Sequence, residues 1–101
     1  MRYRVFHERL INAVLRTPGA TSESLRRAVL EPTGNVPEAL SRYVDTVARH
    51  AYRVTDADVA GLKDAGYSED AIFEITVAAA VGAAMHRLQR GMAALRGEEP
   101  D

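Results

Sequence analysis

Four residues carry most of the reactive chemistry open to this chain: Glu74, His50, His86 and Arg87. Glu74 interrupts an apolar helical run about one turn after its start. A buried carboxyl there, raised in pKa, would serve as a general acid or base. The same carboxylate would equally ion-pair with an arginine of another helix, or lie exposed at the start of its own. His50, in Arg49-His50-Ala51-Tyr52, would shuttle protons if a carboxylate lay close. A histidine at a helix C-terminus is also favoured by the dipole and the orphan carbonyls, with no catalytic duty. His86-Arg87, with Arg90 nearby, suits an anion site at a subunit junction. Alternatively Arg87 pairs with acids such as Glu74, Asp70 or Asp58.

Other chemistries find no support. The chain has no cysteine, which removes disulfides, thiolate nucleophiles and thiolate metal ligands. His7, His50 and His86 fall in different predicted helices, with no local His–His or carboxylate–His pair to hold a metal. There is no glycine-rich phosphate loop and no serine nucleophile elbow. Neither a metal nor a cofactor is expected. Met85 and Met92 belong to a core stripe, and Arg26-Arg27 reads as a solvated pair on a helix face.

At 101 residues, 47% hydrophobic and 27% charged, the chain is long enough for one domain or one protomer of an assembly. Its net charge of −1 supplies no general attraction to nucleic acid or to an anionic membrane. The charge is unevenly spread. Residues 1–53 hold nine arginines against five acids, a net +4, and residues 54–101 hold four basic residues against nine acids, a net −5. Opposite halves of this kind meet each other, within or between chains. The opening "MRYRVFHERL" lacks the apolar core of a signal peptide. The longest uncharged run, Ile75 to Met85, is 11 residues, against about 20 for a bilayer span. A cytoplasmic, membrane-free protein is expected.

The elements that must position these residues are all helical by period. Tyr3, Phe6, Leu10 and Val14 share one face of a first helix, which stops at Thr17-Pro18-Gly19. A short second helix covers about Ser22 to Leu30, capped by Thr21 or Ser22, with Leu25, Ala28 and Val29 inward. The loop Glu31-Pro32-Thr33-Gly34-Asn35 precedes a third helix opening at Pro37 and running to about Tyr52, with Leu40, Val44, Val47 and Ala51 in one stripe. Thr55 and Asp58 form a capping-box pattern, with Val54 and Val59 as a staple. Gly66 closes that helix, and Ser68 caps the last one, about Glu69 to Arg96. One face of it carries Ile72, Ile75, Ala79, Gly82, Met85, Leu88, Met92 and Leu95; a second carries Phe73, Val77, Ala80, Val81 and Ala84. Between Phe73 and Met85 it is apolar nearly all round, which predicts burial on every side. Four short partner helices can hardly cover it, so self-association is the expected completion. The whole is one all-α domain of about five helices: N-terminal helices in 1–35, core helices in 37–96, and a loose acidic tail, 97–101.

At Val54-Thr55-Asp56-Ala57-Asp58-Val59, then Ala65-Gly66-Tyr67-Ser68-Glu69-Asp70-Ala71-Ile72-Phe73-Glu74, and on through Ala78–Ala83 and Arg87, the chain resembles the alkylhydroperoxidase D-like, carboxymuconolactone decarboxylase superfamily. The likeness covers about residues 40–95. It implies a helical protomer with a long C-terminal helix, packed as a trimer or hexamer. The redox branch carries Cys-x-x-Cys-x-x-x-His on the helix before the capped turn, here residues 37–52. Aligned without gaps, the three positions fall at Glu38, Ser41 and Asp45; matched on His50, they are Tyr43, Thr46 and His50. Neither register holds a thiol, so disulfide-forming peroxidase chemistry does not carry over. The decarboxylase branch needs no such pair. The resemblance thus implies a thiol-free, non-redox oligomer with a binding or structural role, able to hold a small organic ligand. The alternative is a cofactor-independent lyase or isomerase acting on a small organic acid. Glu74 or His50 would then be the acid/base, with Arg87, His86 and Tyr43 holding the ligand.

Overall fold

The computed structural model describes residues 2–31 and 35–97, with side chains from Arg4 onward. The Tyr3 side chain of the first stripe, Pro32–Gly34 of the loop and the tail beyond Gly97 lie outside the described residues. Five α-helices follow one another: α1 (Arg2–Arg16), α2 (Glu23–Leu30), α3 (Glu38–His50), α4 (Asp56–Asp64) and α5 (Glu69–Leu95). No strand occurs among the described residues.

The starts and stops follow local chemistry. The Ser22 hydroxyl accepts the Leu25 N–H and opens α2, and the Ser68 hydroxyl accepts the Ala71 N–H and opens α5. Thr55 and Asp58 close a reciprocal capping box on α4: the Asp58 N–H donates to Thr55 Oγ1 at 3.2 Å, and the Thr55 N–H to Asp58 Oδ2 at 2.9 Å. Gly66, at φ 101°, lets its own N–H reach the Lys63 carbonyl while Tyr67 N–H reaches that of Leu62. This is the double bond pattern of a left-handed helix stop, which a side chain would strain. Thr55→Ala should lower stability by about 1 kcal/mol, read as a lower urea midpoint at unchanged m. An unaltered midpoint would show that α4 holds its register by packing alone.

Three boundaries differ slightly from the sequence reading. Pro37 caps α3 from outside, and its carbonyl accepts the Leu40 and Ser41 N–H groups. The helix itself stops at His50, two residues early, and a single 3-10 turn, Ala51–Arg53, tightens the exit. Val54 must already be extended there to lead into the Thr55 cap. Finally, α5 ends one residue early, at Leu95.

Helix α5 is the axis of the fold, packed mainly against α2 and α3. Leu40 and Ile75 are wholly buried where α3 meets α5, surrounded by Val29, Tyr43, Val47, Ile72 and Ala79. Tyr43 takes an inward place on α3 that the Leu40–Val44–Val47–Ala51 stripe did not assign to it, while Ala51 is exposed. Burial on all sides does not occur within the single chain. No residue of α5 beyond Gly82 is buried, and Phe73 on its second face is 69% exposed.

Candidate functional site

Glu74 lies on α5 opposite the loop that joins α1 to α2. Its carboxylate accepts the Ala20 N–H at 2.6 Å, the Thr21 N–H at 2.9 Å and the Thr21 hydroxyl at 2.5 Å. Arg26 of α2 adds an ion pair at 3.5 Å. A Cβ at Gly19 would meet Glu74 Oε2 at 2.5 Å, so the loop approaches this closely because that position has no side chain. The Thr21 hydroxyl, then the Ala20 N–H, hold the carboxyl below its ordinary value, with the Thr21 N–H and Arg26 assisting against the opposing effect of burial. Glu74 is therefore a satisfied carboxylate with no raised pKa to make it a general acid. Of the alternatives in the sequence, the geometry shows the ion pair with an arginine of another helix.

Arg26 is buried, contrary to the solvated pair that the sequence suggests for Arg26-Arg27. Its side chain is 6% exposed, whereas that of Arg27 is 46% exposed and pairs with Glu23 at 3.1 Å. Arg26 Nη2 donates to the Leu15 and Thr17 carbonyls, at 2.8 and 3.0 Å, and Nη1 to the Thr21 carbonyl. One guanidinium thus gathers the end of α1, the following loop and α5. Its Nε–H is the one buried side-chain polar atom without a hydrogen-bond partner among the described residues.

A second arrangement faces solvent. An open groove of about 500 Å³ runs between the C-terminal end of α2, one side of α3 and the middle of α5. Buried or half-buried Val29, Val36, Val44, Ala79 and Gly82 form its floor, and exposed Ser41, Asp45, Arg49, His86 and Arg87 its rim. At the floor α2 and α5 cross so closely that a Cβ on Gly82 would overlap the Leu30 carbonyl oxygen. Asp45 and Arg49 pair with each other at 2.9 Å. Arg87 does not pair with Glu74, Asp70 or Asp58: its Nη2 donates to the Ala48 carbonyl in the last turn of α3 at 2.9 Å. A cation suits that helix end.

The candidates do not converge. Glu74 and Arg87 stand 13 positions apart on one helix, roughly 20 Å along its axis. His50 is exposed, lines neither this groove nor a smaller one beside Glu74, and meets Tyr52 edge-on with ring centroids 5.8 Å apart. Tyr43 is buried; its hydroxyl sits 2.7 Å from Thr76 Oγ1, whose own proton goes to the Ile72 carbonyl. Tyr43 is therefore the donor, and its hydroxyl is engaged inside the core. Of these candidates, His86 and Arg87 line this groove together. Sequence reasoning missed Val36, Val44 and Arg49 as their neighbours, because nothing in the local pattern marks residues from three helices as one surface. Ser41 and Asp45 lie there too, two positions of the gapless register. Among the described residues no group of three His, Cys, Asp or Glu side chains is placed to hold a metal. No family model, no curated protein and no solved structure matches this chain.

Proposed function

We propose that the protein is a non-redox, homo-oligomeric module with a binding or structural role, a thiol-free relative of the alkylhydroperoxidase D-like, carboxymuconolactone decarboxylase superfamily that assembles as a trimer or hexamer. The observation that carries this is the exposed apolar surface of α5. Its core stripe continues through Met85, Leu88 and Met92 to Leu95, more than three turns past its last buried residue, and Leu95 is 82% exposed. Phe73 on the second face and Phe6 on α1 are 69% and 62% exposed.

A second copy is the favoured occupant for two reasons. A 27-residue helix is about 40 Å long and offers a strip some 10 Å wide. Together with α1, that approaches the roughly 800 Å² per partner of a stable interface. The chain's own halves are also of opposite charge, so copies can meet with complementary fields. By length and composition alone α5 is also long and apolar enough to cross a membrane. Of its most apolar stretch 39% is buried within the chain, which leaves the larger part for a second copy to cover in water. An aqueous cytoplasmic setting is part of this proposal.

Sedimentation in detergent-free buffer tests it. The wild type should run as a trimer or hexamer at micromolar concentration, and Phe73→Arg with Leu95→Arg should shift it to the protomer. A wild type that stays a solitary protomer, or that is soluble only in detergent, overturns the reading.

A further inference from the structure

We infer that the groove between α2, α3 and α5 is a binding site for a small carboxylate with an apolar body, its acid group held by Arg87. The shape comes first. A volume of about 500 Å³ falls within the roughly 300–1,000 Å³ of small-molecule sites, which combine an apolar lining with a few placed polar groups. Val29, Val36, Val44 and Ala79 supply the lining, and the absent side chain at Gly82 lets the α2 backbone close the floor against α5.

The charge of the rim then selects the head group. Asp45 is neutralised by Arg49 at 2.9 Å. Glu31, at the end of α2, lies 3.9 Å from Arg27. Arg87 has no acidic partner among the described residues, and its one hydrogen bond among them, from Nη2 to the Ala48 carbonyl, uses one of its five N–H donors. That single bond also fixes the guanidinium between α3 and α5, so less freedom is lost when a ligand is bound. The second Nη2–H, with Nη1–H or Nε–H beside it, keeps one edge of the planar fork open to both oxygens of a carboxylate. His86, the adjacent residue on the rim, adds a ring nitrogen within the same cavity.

This site is independent of assembly through α5: neither Phe6, Phe73 nor Leu95 lines the groove. The two ideas therefore fail separately. Ligand-observed NMR titration of the wild-type chain with hexanoate and with hexanamide reads the inference directly. Hexanoate should bind saturably, about tenfold more tightly than the neutral amide. Arg87→Gln should bring that ratio to within about twofold and leave the amide unchanged. Ala83→Leu, which fills the groove beside Gly82, should weaken both. Equal binding of acid and amide to the wild type overturns the assignment, as does no saturable binding of either. An undiminished preference in Arg87→Gln overturns it as well.

Discussion

Arg26→Leu should be the most damaging single substitution on this chain, lowering stability by about 3–5 kcal/mol. The loss arises from what is left behind. Glu74, with only 21% of its side chain exposed, keeps its negative charge but loses its cation. The Leu15, Thr17 and Thr21 carbonyls lose their shared donor at the same time. A domain of this size is held by only about 5–15 kcal/mol, so the melting point should drop by more than 10 °C or so. Urea unfolding at fixed protein concentration measures it. A loss below about 0.5 kcal/mol would mean that the cluster is an ordinary surface pair.

The carboxylate side of the cluster gives a separate check by pH. Glu74 titrates below its ordinary value of 4.5 when folded. The unfolded chain therefore takes up the proton first as acid is added. The stability Glu74 contributes is complete above about the ordinary carboxylate value and disappears as pH falls through the lowered one. Glu74→Gln should flatten that acid segment of the stability curve while costing less at neutral pH than Arg26→Leu. A wild-type curve that is already flat below pH 4.5 or so contradicts the assigned hydrogen bonds.

Gly82 should be the second most sensitive position, and even Gly82→Ala, which adds one methyl group, should be damaging. Its Cβ would overlap the Leu30 carbonyl oxygen and come within 3.0 Å of the carbonyl carbon and 3.1 Å of Cα. These are backbone atoms and cannot rotate aside, so α2 must move away from α5. Overpacking of this kind costs about 1–3 kcal/mol, which outweighs the roughly 0.5–1 kcal/mol that alanine gains over glycine in a helix. Gly82→Leu should be worse. Gly61, inside α4, has nothing within 4 Å of its missing Cβ. Gly61→Ala should therefore be neutral or stabilising, and the opposite signs of the two alanine variants are the diagnostic. If Gly82→Ala also stabilises, α2 and α5 do not cross at this distance.

What could be read without coordinates was whatever neighbouring residues decide among themselves. Ser22, Thr55, Ser68 and Gly66 act on groups at most four residues away, and so the five helices and their ends were legible to within two residues. The all-helical class followed from the same local periodicity. The exposed second face of α5 was half legible: its composition called for cover, and only the packing showed which part α2 and α3 leave open. The site residues were a different matter. Glu74 and its loop partners are separated by 53 and 54 positions, and no spacing rule links a glutamate on α5 to a Thr-Pro-Gly-Ala-Thr turn. Arg26 and Arg27 are adjacent and alike in sequence, and a rotation of 100° about the helix axis sends one into the interior and the other to water. Tyr43 entered the core for the same reason, a helix face settled by contact with Thr76. Short-range hydrogen bonding and period thus determine the elements from sequence alone, whereas which polar side chain meets which depends on how the helices cross, and only tertiary structure supplies that.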